Sequence, residues 1–534
     1  MGRKKPGDKK INTYAPLLAA LARHTAGKRG AFHMPGHHQG RGQWPPFSRL
    51  LAEQGQALDL TELPGLDNLG AAAGCIEASQ KAMARLSGSQ EVFYLVNGST
   101  AGLEAAILAM SSPEVPTVMS AHCHMAIHQG LILSGSRPVI LPCLIDGEWG
   151  LPLGVDQGAA GAYFNEGAVQ NAAQKAGQDK GLWISLNPSY NGVIADLAWE
   201  KEMLSRRPGW GWLADEAHGA HLPFAGQAPG PSPFSALYWG ADVVVQSAHK
   251  MGCGFTQTAL LHCNCRELAG KLRQGINIMQ SSSPSYLLMA SLDAWQAYLQ
   301  EGGRQRLREA AELARELACR IRALGGYRLW QDELPASYTA DPRKITVSAA
   351  ELGLDGFALA AILRQKYGID TELAAADYVL FIVNLGLDPE QGDYLVKALE
   401  EIQEHYGCKG RKSEGAKGGE AGDGAEQKKQ KAAKAESKKL LADMYRSGQK
   451  PWQPVLSPRE VFFSPRQQVK LEEAKDRLAA VPLVPYPPGI PLVFPGMAIS
   501  GEAIAGLKDW LQAGQTCNGL ARAGDQIFVE VLAE

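Results

Sequence analysis

No apolar run in the chain reaches the eighteen or so residues needed to cross a bilayer. Nor is there an excess of one charge: 53 Lys and Arg stand against 55 Asp and Glu, a formal charge of −2 over 534 residues. The first absence points to a soluble protein of the cytoplasm. The second leaves no overall field to draw nucleic acid or an anionic membrane, so neither is an expected partner and ligands must be argued from local sites. Cysteine is scattered, nine in all, an odd number without the spacing of a disulfide framework, which fits a reducing compartment. His262, Cys263 and Cys265 alternate faces at a strand end and lack a second cysteine pair, so no metal site is expected. The basic start, "MGRKKPGDKKINTY", has only a short apolar segment after it and no cleavage-like site. No internal repeat is present.

What is there is an alternation. "EVFYLV", "TVMS", "PVILP", "GLWISL", "GWLAD", "ADVVVQS" and "QTALLH", between residues 90 and 265, read as strands separated by Ala- and Gly-rich or helical stretches. That pattern predicts an α/β fold with a mostly parallel sheet. Residues 286–324 carry apolar positions at helical spacing with a break at Gly302-Gly303. The expected organisation is an N-terminal helical segment (1–30), a large domain (31–300), a smaller α+β domain (301–406), a charged linker (407–439) and a C-terminal domain (440–534). Between Lys409 and Lys439 ten basic residues face five acidic ones with almost nothing apolar, the composition of a solvated linker. Without aromatics to stack on bases it is not a nucleic-acid arm. The prolines of "VPYPPGIPLVFPG" exclude a helix interior and a central strand there.

Four stretches carry chemistry. In "GADVVVQSAHK" a buried strand delivers Lys250 to its carboxyl end, the edge where open α/β sheets bind ligands. In "YLVNGSTAGLEAAILAM" Gly98, Ser99 and Thr100 open a helix after a strand, where N–H groups and hydroxyls suit a phosphate. In "GWLADEAHGAH" Asp215 ends a strand, and a carboxylate buried there needs a cation or donors. In "SAHCHMAIHQGL" His124 follows a short strand at the same edge and offers a flat ring. Pyridoxal 5'-phosphate asks for all four: an amine for its aldehyde, an acid for its pyridine nitrogen, a phosphate cup and a stacking partner.

With these stretches the chain resembles the pyridoxal-phosphate-dependent ornithine/lysine/arginine decarboxylases, in the short form without an N-terminal receiver-like domain. The matching blocks, in order, are "FHMPGHHQG", "DLTELPGLDNL", "VNGSTAG", "NPSYNGV", "DEAHGAH", "QSAHK", "SSSPSYLLMASLD" and "PYPPGIPLVFPG". The resemblance implies a fold-type-I transferase-like large domain with smaller α+β C-terminal domains. It implies that Lys250 bears the cofactor, Asp215 pairs with the pyridine nitrogen, His124 stacks on the ring, and Ser99 with Thr100 forms the phosphate cup. It places Ser247 and His249 at the phosphate or the site wall and His218 near the ring oxygen or the substrate. Ser282 and Ser283 would reach a neighbouring subunit's cofactor, which implies a homodimer or a higher homo-oligomer. Lys250 or His249 would return a proton to the substrate carbon.

The implied reaction removes the carboxylate of a small basic amino acid, arginine first, then lysine or ornithine, and so serves polyamine supply or acid resistance. Another pyridoxal-phosphate lyase, an aminotransferase, or a cofactor-binding relative without activity would use the same lysine and aspartate. Glu62, Asp67 and Glu372 are the carboxylates offered for the substrate's distal cation. The chain departs from the family's pattern at His38, at Ala121, Met125 and Ala126 around the stacking histidine, and at Met497, where a glutamate is usual. These departures bear on substrate choice and turnover.

Overall fold

A computed structural model of the chain describes residues 17, 20, 21, 30–165, 180–226, 231–415, 451–486, 489–512 and 515–533 and, over 408–415, the backbone alone. Most of the expected N-terminal helical segment and most of the expected linker therefore lie outside the described residues.

All seven stretches read as strands fall in one sheet. They are β1 (Glu91–Leu95), β2 (Thr117–Ser120), β3 (Pro138–Leu141), β4 (Gly181–Leu186), β5 (Trp210–Asp215), β6 (Val243–Gln246) and β7 (Ala259–Cys263). Their spatial order is β3-β2-β4-β5-β6-β7-β1. The pairs from β3 to β6 are parallel. β7 runs antiparallel to both β6 and β1, so β1 points the same way as β6. The strands form because unbroken apolar runs, buried on both faces, suit a covered parallel sheet; every residue of β2, β3, β6 and β7 is buried.

The helices that matter for the site start at the carboxyl edge. α1 (Gly98–Met110) follows β1, α2 (Met125–Ser134) follows β2, and the one-turn α3 (Ala248–Met251) follows β6. With α4 (Arg266–Met279), α1 and α2 cover one face of the sheet, and this apolar cluster continues into the C-terminal unit through Leu483, Leu507 and Val531. The long helical stretch divides as the glycines predict, into α5 (Tyr286–Tyr298) and α6 (Arg304–Leu324), with Gly302 at φ +155° between them.

A second, antiparallel sheet is built from β8 (Arg328–Leu329), β9 (Lys344–Ser348), β10 (Leu373–Ala374) and β11 (Val379–Ile382), in the order β8-β9-β11-β10. Gly30–Phe32 pairs in parallel with Ile369–Thr371 of this unit, so the following segment crosses from the small unit to the large one. The helix α7 (Pro389–Gly415) closes the unit and runs on into the first residues of the expected linker. The C-terminal unit joins β12 (Arg466–Lys470), β13 (Leu520–Ala523) and β14 (Gln526–Leu532) in the order β12-β14-β13. Trp452 exchanges backbone hydrogen bonds with Ile140 on the edge strand β3, which covers an otherwise open sheet edge. Among the described residues no helix is long and apolar enough to cross a membrane.

The interior holds several neutral histidines. His262 in β7 meets Ser89 Oγ at 2.8 Å and Gln246 Oε1 at 3.1 Å through its two ring nitrogens. Burial pushes His262 down to about 3 and His221 down to about 4. His38 is pushed down to about 4 by burial and by the Arg41 charge, and burial and the Lys344 charge hold His218 well below its ordinary value. Unfolded histidine takes its proton near pH 6.5. The folded values lie below this, so stability is whole above about pH 6.5 and falls as the pH drops toward 4. Each such histidine contributes a slope of up to about 1.4 kcal/mol per pH unit. Between about pH 7.5 and 4.5 the denaturant midpoint of His262→Asn is expected to fall less than that of the unmutated protein, and parallel profiles would show that this ring is already protonated in the fold.

Candidate active site

Four loops, after β1, β2, β5 and β6, meet at the carboxyl edge of the large sheet. Asp215, the last residue of β5, lies opposite Val245 of β6, five residues before Lys250 in the sequence. It is 1% exposed and accepts a 3.0 Å hydrogen bond from Ala217 N on Oδ1. Burial pushes its carboxyl up, against the Ala217 N–H and the charges of Lys250 and His124. The next residue, Glu216, does a different job: its two oxygens accept from Asn187, Ala236, Ser235 and Gln246 at 2.6 to 2.9 Å. That carboxylate is saturated by the protein, whereas Asp215 retains capacity for a further donor.

Lys250 stands half-buried on α3. Burial lowers its amine, opposed by the charges of Asp215 and Glu372. His124 caps α2, its Nδ1 accepting from Ala126 N at 3.1 Å, and its ring is exposed in the single chain. Burial of its inner side lowers it, while the Asp215 charge raises it and Lys250 lowers it. Ser247 Oγ donates to Ser99 Oγ at 2.8 Å, so the start of α3 and the start of α1 share a hydroxyl pair. Thr100 is exposed beside it. Gly98, at φ +78°, uses its own N–H on the Gln257 carbonyl at 2.8 Å, which leaves the later N–H groups of α1's first turn to face a ligand. His249 donates from Nδ1 to the Thr258 carbonyl at 2.9 Å. Ser282 and Ser283 lie on the exposed turn between α4 and α5.

The "HMPGHH" block packs directly on α3. Gly36 N donates to His249 O at 2.8 Å, and a Cβ at Gly36 would come within 2.3 Å of Gly252 O and 2.7 Å of Lys250 O. Only glycine allows this approach. His38 is buried against the small unit, its Nε2 bonded to Gln391 Oε1 at 3.1 Å.

Of the three carboxylates offered for a distal cation, the structure brings one to this edge. Asp67 is consumed locally: it accepts from the N–H groups of Asn68, Ala73, Gly74, Ile76 and Glu77 at 2.7 to 3.3 Å. Burial would raise it, and these donors outweigh burial and hold it low. Glu62 is exposed and held by the Thr61 hydroxyl at 2.5 Å. Glu372 accepts from Tyr190 Oη at 2.7 Å and Met34 N at 2.9 Å. Met497 is half-buried and packs on the apolar core it shares with the C-terminal unit.

The small unit supplies residues that the sequence pattern did not single out. His221 Nε2 pairs with Asp341 Oδ2 at 2.9 Å, and Arg343 Nε lies 3.7 Å from Asp341 Oδ1. Lys344, the first residue of β9, meets His218 Nδ1 at 2.9 Å, and Lys250 Nζ lies 3.2 Å from His218 Nε2. The Tyr190 ring stands edge-on to His218 at 4.9 Å. Both histidines of "DEAHGAH" thus bind the stretch "DPRK". Three ionisable residues, Asp341, Arg343 and Lys344, stand at the mouth of an apolar strand, a pattern that marks the stretch but not its partners.

A match to the Orn/Lys/Arg decarboxylase major domain covers residues 15–332, and one to the C-terminal domain of the same family covers 438–520. The chain belongs to the Orn/Lys/Arg decarboxylase family. It is 30% identical over 512 residues to the arginine decarboxylase of Bacillus subtilis, covering 94% of this chain and 95% of that protein. It is 23% identical to lysine decarboxylase LdcA of Pseudomonas aeruginosa, covering 94% of this chain and 76% of that one. The structure of the constitutive lysine decarboxylase of Escherichia coli superposes with a TM-score of 0.72 at 18% identity, covering 98% of this chain and 83% of that one. The chain is thus an amino-acid decarboxylase of this family with the predicted mostly parallel α/β fold, and the family implies a pyridoxal phosphate cofactor.

Gly36→Ala is expected to cost about 1 to 3 kcal/mol through overpacking, read as a lower urea midpoint. An unchanged midpoint would show that the loop withdraws from α3 without penalty.

Proposed function

We propose that the chain decarboxylates arginine, with lysine and ornithine as poorer substrates, using pyridoxal 5'-phosphate held by Lys250. The observation that carries the cofactor assignment is Asp215: a carboxylate 1% exposed, with its carboxyl pushed up and its neighbourhood positive, fits a partner that shares a proton, as a pyridine nitrogen does. Arginine is favoured because relatives matched over nearly their whole length, including those of Bacillus subtilis and Bacillus anthracis, carry the name arginine decarboxylase.

When bound, the cofactor supplies the electron sink that makes loss of carbon dioxide feasible. The protein's part is derived from its own residues. Burial keeps a fraction of the Lys250 amine unprotonated and therefore nucleophilic. Asp215 stands at the buried end of the site, accepting from Ala217 N, with capacity left for a further N–H donor. The first turn of α1 with Ser99, Thr100 and Ser247 offers N–H and hydroxyl donors to a phosphate. His124 presents its exposed ring as the flat wall, and His218 and His249 line the rest. Glu372, with Tyr190 on one oxygen, is the carboxylate available for the distal cation, and a planar carboxylate accepts a guanidinium in a bidentate fork. Ser282 and Ser283, exposed in the single chain, would complete the site of a second copy in a homodimer. Cytoplasmic production of an amine for polyamine supply is the role this activity would serve.

Carbon dioxide release from arginine, lysine and ornithine, measured separately with cofactor-loaded protein, is expected to be greatest for arginine and absent in Lys250→Ala. Release from lysine or ornithine alone would overturn the substrate assignment, and release by Lys250→Ala would overturn the role of that amine. Asp215→Ala should lower kcat by about a hundredfold or more, which corresponds to about 2.7 kcal/mol; near-normal turnover would remove Asp215 from the electron-sink role.

A further inference from the structure

Lys344 is a lysine buried without a carboxylate partner on its amine among the described residues. It is 0% exposed, yet its carbon chain ends among polar atoms: Tyr190 O at 2.6 Å, Ser189 O at 3.4 Å and His218 Nδ1 at 2.9 Å. An ammonium has three donors and no acceptor, so a charged Lys344 fills all three of these positions. His218 Nδ1 must then be the bare nitrogen, its proton sits on Nε2, and Nε2–H points at Lys250 Nζ, 3.2 Å away. A neutral Lys344 reverses the arrangement. Its two hydrogens satisfy the carbonyls, its lone pair accepts from Nδ1–H, and Nε2 becomes an acceptor for Lys250.

We propose that Lys344, His218 and Lys250 form a proton relay in which Lys344 is the positioning residue that sets the tautomer of His218 and, through it, the protonation of the Lys250 amine. The step balances within the three residues. The Lys344 N–H bond breaks as Nδ1–H forms, Nε2–H breaks as a new N–H bond forms on Lys250, and one positive charge passes from Lys344 to Lys250. This rests on the reading of Lys250 as the reactive amine and adds the path by which that amine gains or gives up a proton without bulk water.

The surroundings act on both ends. Burial pushes Lys344 down to about 7, with Asp341 and Glu372 opposing it and the Lys250 and Arg343 charges assisting. Lys250 is lowered by burial and raised by Asp215 and Glu372. His218 faces both lysines, the edge of Tyr190, and the charges of His124 and His249. His221 feels Lys344 from the far side, across Asp341 and Arg343. Two amines separated by one imidazole repel as ammonium ions, so a proton on one disfavours a proton on the other.

The tautomer can be read without turnover. In the full-length, cofactor-free protein labelled with 15N-histidine, with the His218 signal assigned by its loss in His218→Gln, the proton is expected on Nε2 at about pH 6, where Lys344 holds the shared proton, and on Nδ1 at about pH 8.5, where that proton has been lost to solvent and the neutral Lys344 lone pair accepts from Nδ1–H. The Lys344→Arg variant keeps its charge at both pH values and should hold the Nε2–H form throughout. In Lys344→Met, the pH midpoint for reductive methylation of Lys250 with formaldehyde should rise by about one pH unit, because a competing charge is gone. A tautomer unchanged between the two pH values in the unmutated protein would overturn the relay, and this holds even if the variants fail to fold. An unmoved Lys250 midpoint in folded Lys344→Met would do the same. Failure of carbon dioxide release from all three amino acids would instead remove the decarboxylase reading and leave the tautomer result standing.

Discussion

The site depends on a buried ionic seam between the two larger units. Asp341 lies under His221, and Lys344 lies under His218; neither small-unit residue has appreciable contact with water. Burying a charge is costly unless it is paired and hydrogen-bonded, so separating the two units would leave Asp341 and Lys344 without the histidines they meet. The loop after β5 and the start of β9 therefore fix each other. Because the same loop begins with Asp215 and the same seam ends on Lys250, the relative position of the two units sets the geometry of the reactive edge.

Much of this was legible in the sequence where function and chain order coincide. Strands β1 to β7 announce themselves as short apolar runs bounded by turns, and a parallel sheet places the ends of β1, β2, β5 and β6 along one edge. Lys250, Asp215, His124 and the Gly98 to Thr100 turn follow from that rule. Family resemblance adds identity but no geometry: it named the "DEAHGAH" block without saying that its second histidine binds a carboxylate 120 residues later. Asp341, Lys344 and Tyr190 were not legible, because their partners come from other segments of the chain and no period or spacing records a tertiary contact.

The carboxylates show the same limit from the other direction. Asp67 and Glu372 look equally available as letters in a motif. The backbone decides between them, since the turn at 67–77 folds five N–H groups onto Asp67 while Glu372 stands on the small unit beside Tyr190. A carboxylate already holding that many donors is a structural cap, and the motif around it is a fold signature. The departure at Met497 has a similar reading: an apolar side chain packed on an apolar core supplies no charge for a substrate, which leaves Glu372 as the residue on which the proposed choice among basic amino acids turns.

The histidines complete the argument. Those in the interior are held below their ordinary range by burial, and His262 and His218 act as neutral connectors with a partner on each ring nitrogen. A neutral imidazole can report the charge of one neighbour to the next only by exchanging which nitrogen carries the proton. In His218 both nitrogens meet amines, one from each unit, so the docking of the small unit and the protonation of the large unit's lysine are linked through a single ring. The seam that fixes the shape of the site is, on this reading, also the conductor that sets its proton inventory.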